Sequence, residues 1–154
     1  MKLTEFIVDD AIVPDLQAAD RDAAIRELVR SLADAGALDA SAVDEVVAAL
    51  VKREQNGSTG FGKGVAVPHV KHPSVKKMVG TVGRSPRGLD FSALDAQPVY
   101  IVFMLLSPDD EPQQHLQAME IVFRRLQLDM FRRMLREADS SQKMKDVLAG
   151  ADGG

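Results

Sequence analysis

Val99-Tyr100-Ile101-Val102-Phe103-Met104-Leu105-Leu106 is the longest apolar run in the chain, and it does not alternate with polar residues. A strand with one wet face alternates; a strand covered on both faces reads as a continuous apolar run. The run is far short of the ~20 residues a helix needs to cross a bilayer. It predicts a buried strand, with helices packed on both sides of its sheet.

Downstream, Ser107-Pro108-Asp109-Asp110 reads as a turn, followed by a helix from Pro112 to Leu126. That helix should face inward with Leu116, Met119, Val122, Phe123 and Leu126. Two shorter helices are expected at Asp129–Glu137 and Ser141–Leu148, and residues 150–154 as a flexible tail. Upstream, Asp20 is a suitable N-cap for a helix over Arg21–Ala35, with Ile25, Leu28, Val29 and Leu32 on one stripe and Gly36 as its stop. A second helix over Ala42–Gln55 buries Val43, Val46, Val47, Leu50 and Val51, with Ser41 and Asp44 resembling a shortened capping box. Val65-Ala66-Val67 reads as a short strand ending at Pro68-His69, and Met78–Gly83 as another. The expected fold is α/β, a single domain over residues 1–149 with a mixed sheet of about five strands flanked by helices on both faces.

A chain of 154 residues, 45% apolar and 27% charged, can build a core without a metal or disulfide staple. It has no cysteine, which excludes disulfide scaffolds and thiol catalysis and fits a reducing compartment. A net charge of −4 speaks against nucleic acid as a partner. Basic residues do gather locally, as Lys71, Lys76 and Lys77 and as Arg124, Arg125, Arg132, Arg133 and Arg136. Such runs are either solvated faces or a landing place for an acidic partner protein. Met1-Lys2-Leu3-Thr4-Glu5 does not resemble a secretory signal, so a cytoplasmic location without membrane insertion is expected.

The stretch Gly57-Ser58-Thr59-Gly60-Phe61-Gly62-Lys63-Gly64 invites a nucleotide-loop reading, but its order is wrong. Nucleotide loops follow a strand and open a helix; this stretch follows a helix and opens a strand. Lys63 is followed by Gly64, not by a hydroxyl residue that could hold magnesium. Two readings remain: a tight connection that needs positive φ, or a nest of backbone N–H groups for a phosphate, with the Ser58 and Thr59 hydroxyls beside it.

The chain has three histidines. His69 falls at the end of one predicted strand and His115 in the first turn of the helix after another. Sites in open α/β sheets gather beyond the carboxyl ends of strands, so these two side chains converge if their strands are parallel neighbours. A neutral imidazole is nucleophilic near pH 7, and a helix N-terminus favours the neutral form of His115. Arg53, in the last turn of the second helix, could neutralise a phosphoryl group in a bidentate way, or pair with Glu54 or Asp44. His72 is expected in an exposed loop, and no metal site is expected.

Arg53-Glu54, Ser58-Thr59-Gly60 and Gly64-Val65-Ala66-Val67-Pro68-His69 together resemble the signature of the fructose–mannitol type (type 2) enzyme IIA domains of the phosphotransferase system, which include the nitrogen-regulatory enzyme IIA proteins. Asp95-Ala96-Gln97-Pro98-Val99, Ser107-Pro108, His115-Leu116, Leu135-Arg136 and the helix over Ser140–Leu148 extend the likeness over nearly the whole chain. The resemblance implies that His69 accepts phosphate from phospho-HPr or a paralogue. It implies that His115 and Arg53 support the phosphoryl group, that Ser58, Thr59 and Gly60 help bind it, and that no cofactor is needed. The phosphate then passes to the cysteine of an enzyme IIB, or the protein acts on a regulated target. Val70-Lys71-His72-Pro73 departs from the Gly-Lys or Gly-Arg usual after the histidine in nitrogen-regulatory members. The rival from another class is a binding module acting only through protein contacts.

Overall fold

The computed structural model describes residues 1–153, and the last residue of the expected tail, Gly154, lies outside it. The elements run α1 (Arg21–Asp34), α2 (Val43–Gln55), β1 (Val65–Ala66), β2 (His69–Lys71), β3 (Val79–Leu89), β4 (Val99–Ser107), α3 (Pro112–Leu126), α4 (Asp129–Glu137) and α5 (Ser141–Gly153). The sheet has four strands, not five, with β4 flanked by β1 and β2 on one side and β3 on the other. β1 and β2 run parallel to β4 and β3 antiparallel, so the sheet is mixed as expected.

A fifth strand is replaced by the N-terminal segment, which follows the free edge of β3 only through isolated bridges at Ile7, Val13 and Asp20. Two 3-10 turns, Leu3–Glu5 and Asp9–Ala11, interrupt that segment and prevent a continuous ladder. Val8 N–H still donates to the Gly80 carbonyl and Val13 N–H to that of Val82, so the edge of β3 is covered.

β1 and β2 are one broken strand. Val65 pairs with Ile101, Ala66 with Val102, His69 with Leu105 and Lys71 with Ser107, so the same register holds on both sides of the break. The break is Pro68, which has no N–H to give to the ladder, although its carbonyl still accepts from Leu105 N–H at 3.0 Å. The sequence reading ended this strand at Val67; His69 instead lies inside its continuation.

The period of two along β4 sorts its side chains between two cores. Val102, Met104 and Leu106 join Ala66 and the buried stripes of α1 and α2. Ile101, Phe103 and Leu105 join Val65, Val67 and the helices α3, α4 and α5. β4 is thus covered on both faces, as its unbroken apolar run predicts. Close packing of α1 on β3 needs Gly83, where an added Cβ would lie 2.9 Å from Leu28 Cδ2 and from Leu16 Cδ1.

Asp20 Oδ1 accepts Ala23 N–H at 2.9 Å and caps α1. At α2 the capping differs from expectation. Asp39, not Ser41, holds the start, accepting from Ser41 N–H and hydroxyl over a 3-10 turn, while Asp44 pairs with Arg26. α3 also presents a different stripe: Leu116 is 59% exposed and Phe123 half-buried, while His115, Ala118, Met119, Val122 and Leu126 are buried. Counting only apolar residues rotates the predicted face, because the stripe begins with a histidine. The expected tail from residue 150 instead continues α5, and Asp152 accepts from Leu3 N–H at 2.7 Å and from Thr4 N–H and hydroxyl.

Candidate functional site

The same alternation that sorts the core positions the histidines. Along the broken strand, Val65 and Val67 face α3, and His69 follows on that face. Along β4, Ile101, Phe103 and Leu105 face α3, and Ser107 is the next residue of that row. α3 returns over this face with His115 in its buried stripe. The parallel pairing that the sequence could only assume is present, and the rings of His69 and His115 lie with centroids 5.5 Å apart.

His69 is half-buried. Its Nδ1 lies 2.7 Å from the Val67 carbonyl oxygen, which is free to accept because it points away from β4 on an edge strand. A carbonyl only accepts, so Nδ1 carries the proton and Nε2 keeps the lone pair. Burial, first of all, holds the His69 pKa below its ordinary value, and the nearby charges of Arg53 and Lys71 act in the same direction. The Val67 hydrogen bond and Glu54 oppose them. The ring is therefore neutral and nucleophilic at neutral pH.

His115 is 8% exposed, and its Nδ1 lies 2.7 Å from Ser107 Oγ. Its pKa is pushed down to about 4, chiefly by burial and then by His69 and Lys71. The expected neutral bias is present, but desolvation rather than the helix N-terminus leads it.

Arg53 pairs with neither Glu54 nor Asp44. Its Nη1 donates to the Gly57 carbonyl at 2.7 Å, which leaves the guanidinium at the edge of the site. Glu54 is buried and receives both Thr59 N–H, at 3.0 Å, and the Thr59 hydroxyl. Gly60 N–H donates to Ser58 Oγ at 2.9 Å. The glycine-rich stretch is thus folded onto Glu54 in this conformation, with the donors of Thr59 and Gly60 engaged. It also turns through positive φ, most tightly at Gly64, where a Cβ would lie 3.2 Å from Tyr100.

His72 lies in a loop, as expected, but is half-buried rather than exposed: its Nδ1 accepts Ser74 N–H and its backbone N–H donates to the Ser107 carbonyl. Among the described residues no three His, Cys, Asp or Glu side chains converge, and no helix is long and apolar enough to cross a membrane. Glu54 and Ser107 were missed as site residues. Both stand inside the quoted motifs, but nothing in their spacing reveals that one holds Thr59 and the other His115.

Residues 5–150 match the family described as "Phosphoenolpyruvate-dependent sugar phosphotransferase system, EIIA 2". The chain is 36% identical over 97% of its length to a nitrogen regulatory protein of Bradyrhizobium diazoefficiens, of which it covers 95%. It is 37% identical over 85% of its length to a fructose-specific EIIA component of Haloferax volcanii, of which it covers 84%. Its fold superposes on the nitrogen regulatory protein IIA-Ntr of Neisseria meningitidis with a TM-score of 0.83, at 28% identity, over 94% of this chain and 97% of that one. The chain belongs to the EIIA 2 family of the phosphoenolpyruvate-dependent sugar phosphotransferase system.

Proposed function

We propose that the protein is a cytoplasmic phosphoryl carrier that accepts phosphate on His69 Nε2 from the phosphohistidine of HPr or a paralogue. The carrying observation is the bond between His69 Nδ1 and the Val67 carbonyl, which leaves Nε2 with the lone pair beside His115. In the transfer, that lone pair attacks phosphorus, the P–N bond of the donor breaks, and the donor imidazole leaves with the electron pair. His69 Nδ1 keeps its proton throughout, bound to Val67.

Such a transition state is loose, and catalysis rests on alignment and on charge around the moving group. Arg53 and Lys71 disfavour an imidazolium at His69 but favour a phosphorylated one, which is anionic. His115, neutral at working pH, is suited to donate one N–H to a phosphoryl oxygen. The Ser58 hydroxyl accepts from Gly60 and keeps its own proton to donate; Thr59 and Gly60 reach the phosphoryl group only by exchanging their present partners.

The next step is delivery to an enzyme IIB cysteine in sugar uptake or the regulation of a target protein, and relatives with both kinds of name support the pair. Incubation with enzyme I, HPr and phosphoenolpyruvate, followed by intact mass, tests the carrier reading. A phosphoryl adduct that disappears in His69→Ala is expected. No adduct, or one that survives that substitution, refutes it. Adding candidate IIB proteins then separates delivery from regulation by loss of the adduct.

A further inference from the structure

The proposed transfer needs one imidazole with a lone pair and a second with a proton to give. A neutral histidine presents either nitrogen as the donor, and the partner of its other nitrogen decides which. His69 has a partner that can only accept. His115 has one that can do both, the Ser107 hydroxyl at 2.7 Å.

We infer that Ser107 is a positioning residue that fixes His115 in the tautomer with the proton on Nε2, by donating its hydroxyl hydrogen to Nδ1. Ser107 is fully buried, and its hydroxyl has no other hydrogen-bond partner among the described residues. If Nδ1 held the proton and donated to Oγ, the serine hydrogen would be buried without an acceptor, a cost comparable to a lost hydrogen bond. With Ser107 as the donor, both atoms are satisfied. The depressed pKa of His115 keeps the ring neutral, so a tautomeric choice exists to be made.

The two rings thus take opposite tautomers: the lone pair is on Nε2 of His69 and the proton on Nε2 of His115. Strand geometry supports this arrangement, because Ser107 follows Leu105 on the α3 face of β4 and only a register slip would carry its Cβ to the other face. The tautomer inference stands on Ser107 and His115 alone; only its consequence for transfer rests on the carrier reading.

The test is a long-range proton–nitrogen correlation spectrum of the 15N-labelled protein at neutral pH. In the wild type, His115 should show a protonated Nε2 and an unprotonated Nδ1, and His69 the reverse. Ser107→Ala should mix the His115 tautomers and slow acceptance of phosphate from phospho-HPr about fivefold to tenfold; Ser107→Thr, which keeps the hydroxyl, should restore both. A wild-type His115 protonated on Nδ1 overturns the inference without any variant. So does a Ser107→Ala protein with unchanged ring signals; changed signals with undiminished transfer overturn the positioning role of Ser107 in transfer. If the wild type takes up no phosphate, the carrier reading fails, and the ring spectra still decide the tautomer.

Discussion

On the face of β4 that meets α1 and α2, Val102, Met104 and Leu106 are apolar to the end of the row. On the face that meets α3, Ile101, Phe103 and Leu105 lead to Ser107, whose hydroxyl reaches His115. One strand, read in steps of two, therefore supplies a plain core on one side and a core with a polar end on the other. The proposed chemistry sits where the second row runs out, at the carboxyl end of the parallel strands. Stability and reactivity should be separable by face, and substitutions can break or sharpen that division.

The largest effect is expected at the polar end. His69→Ala should abolish the phosphoryl adduct, while the midpoint of urea unfolding moves little, since a half-buried side chain at an edge strand is lost. On the opposite face Leu28→Ala should cost about 2–5 kcal/mol by urea titration, because Leu28 is fully buried against that core. Its phosphate acceptance per folded molecule should stay at the wild-type level; a loss there would show that the two faces are coupled.

Acid should act through the polar face. His115 binds its proton only near pH 4 in the folded chain but near 6.5 in the unfolded one. Between those values the unfolded state holds more protons, so stability falls as pH drops from about 6.5 to about 4, by ~2 kcal/mol from this group. His69, shifted in the same direction, adds to the fall. Denaturant melts across that range should show a shallower decline in His115→Gln. The smallest effect is expected from Asp20→Ala, about 1 kcal/mol through the lost α1 cap, with phosphate acceptance unchanged.

Much of this division was legible in the sequence. β4 declared itself by eight apolar residues without alternation, and α1, α3, α4 and the start of α5 by their apolar spacing and end signals. The broken strand was not legible as one element, because a proline ordinarily ends a strand and here removes a single ladder bond without shifting register. The inward face of α3 is not legible at Leu116, which is exposed because the buried stripe is anchored by the polar His115. His69, His115 and Arg53 could be nominated, but their meeting depends on which strands pair. Pairing of distant segments leaves no local signal. The glycine-rich stretch was read correctly as a place of positive φ, whereas its attachment to Glu54 depends on a buried carboxylate that sequence spacing places on an exposed helix end.

The Asp152 carboxylate, bound to the amides of Leu3 and Thr4, joins residues 149 and 148 positions apart along the chain. A contact of such sequence separation closes nearly the whole polypeptide into a ring, so the two ends of the chain hold each other in place. The first turn of the chain and the last turn of α5 share these bonds, so lifting one end is expected to free the other. Amide hydrogen exchange at Leu3 becomes a remote gauge of the final helix, slow while that helix is docked and fast once it lifts.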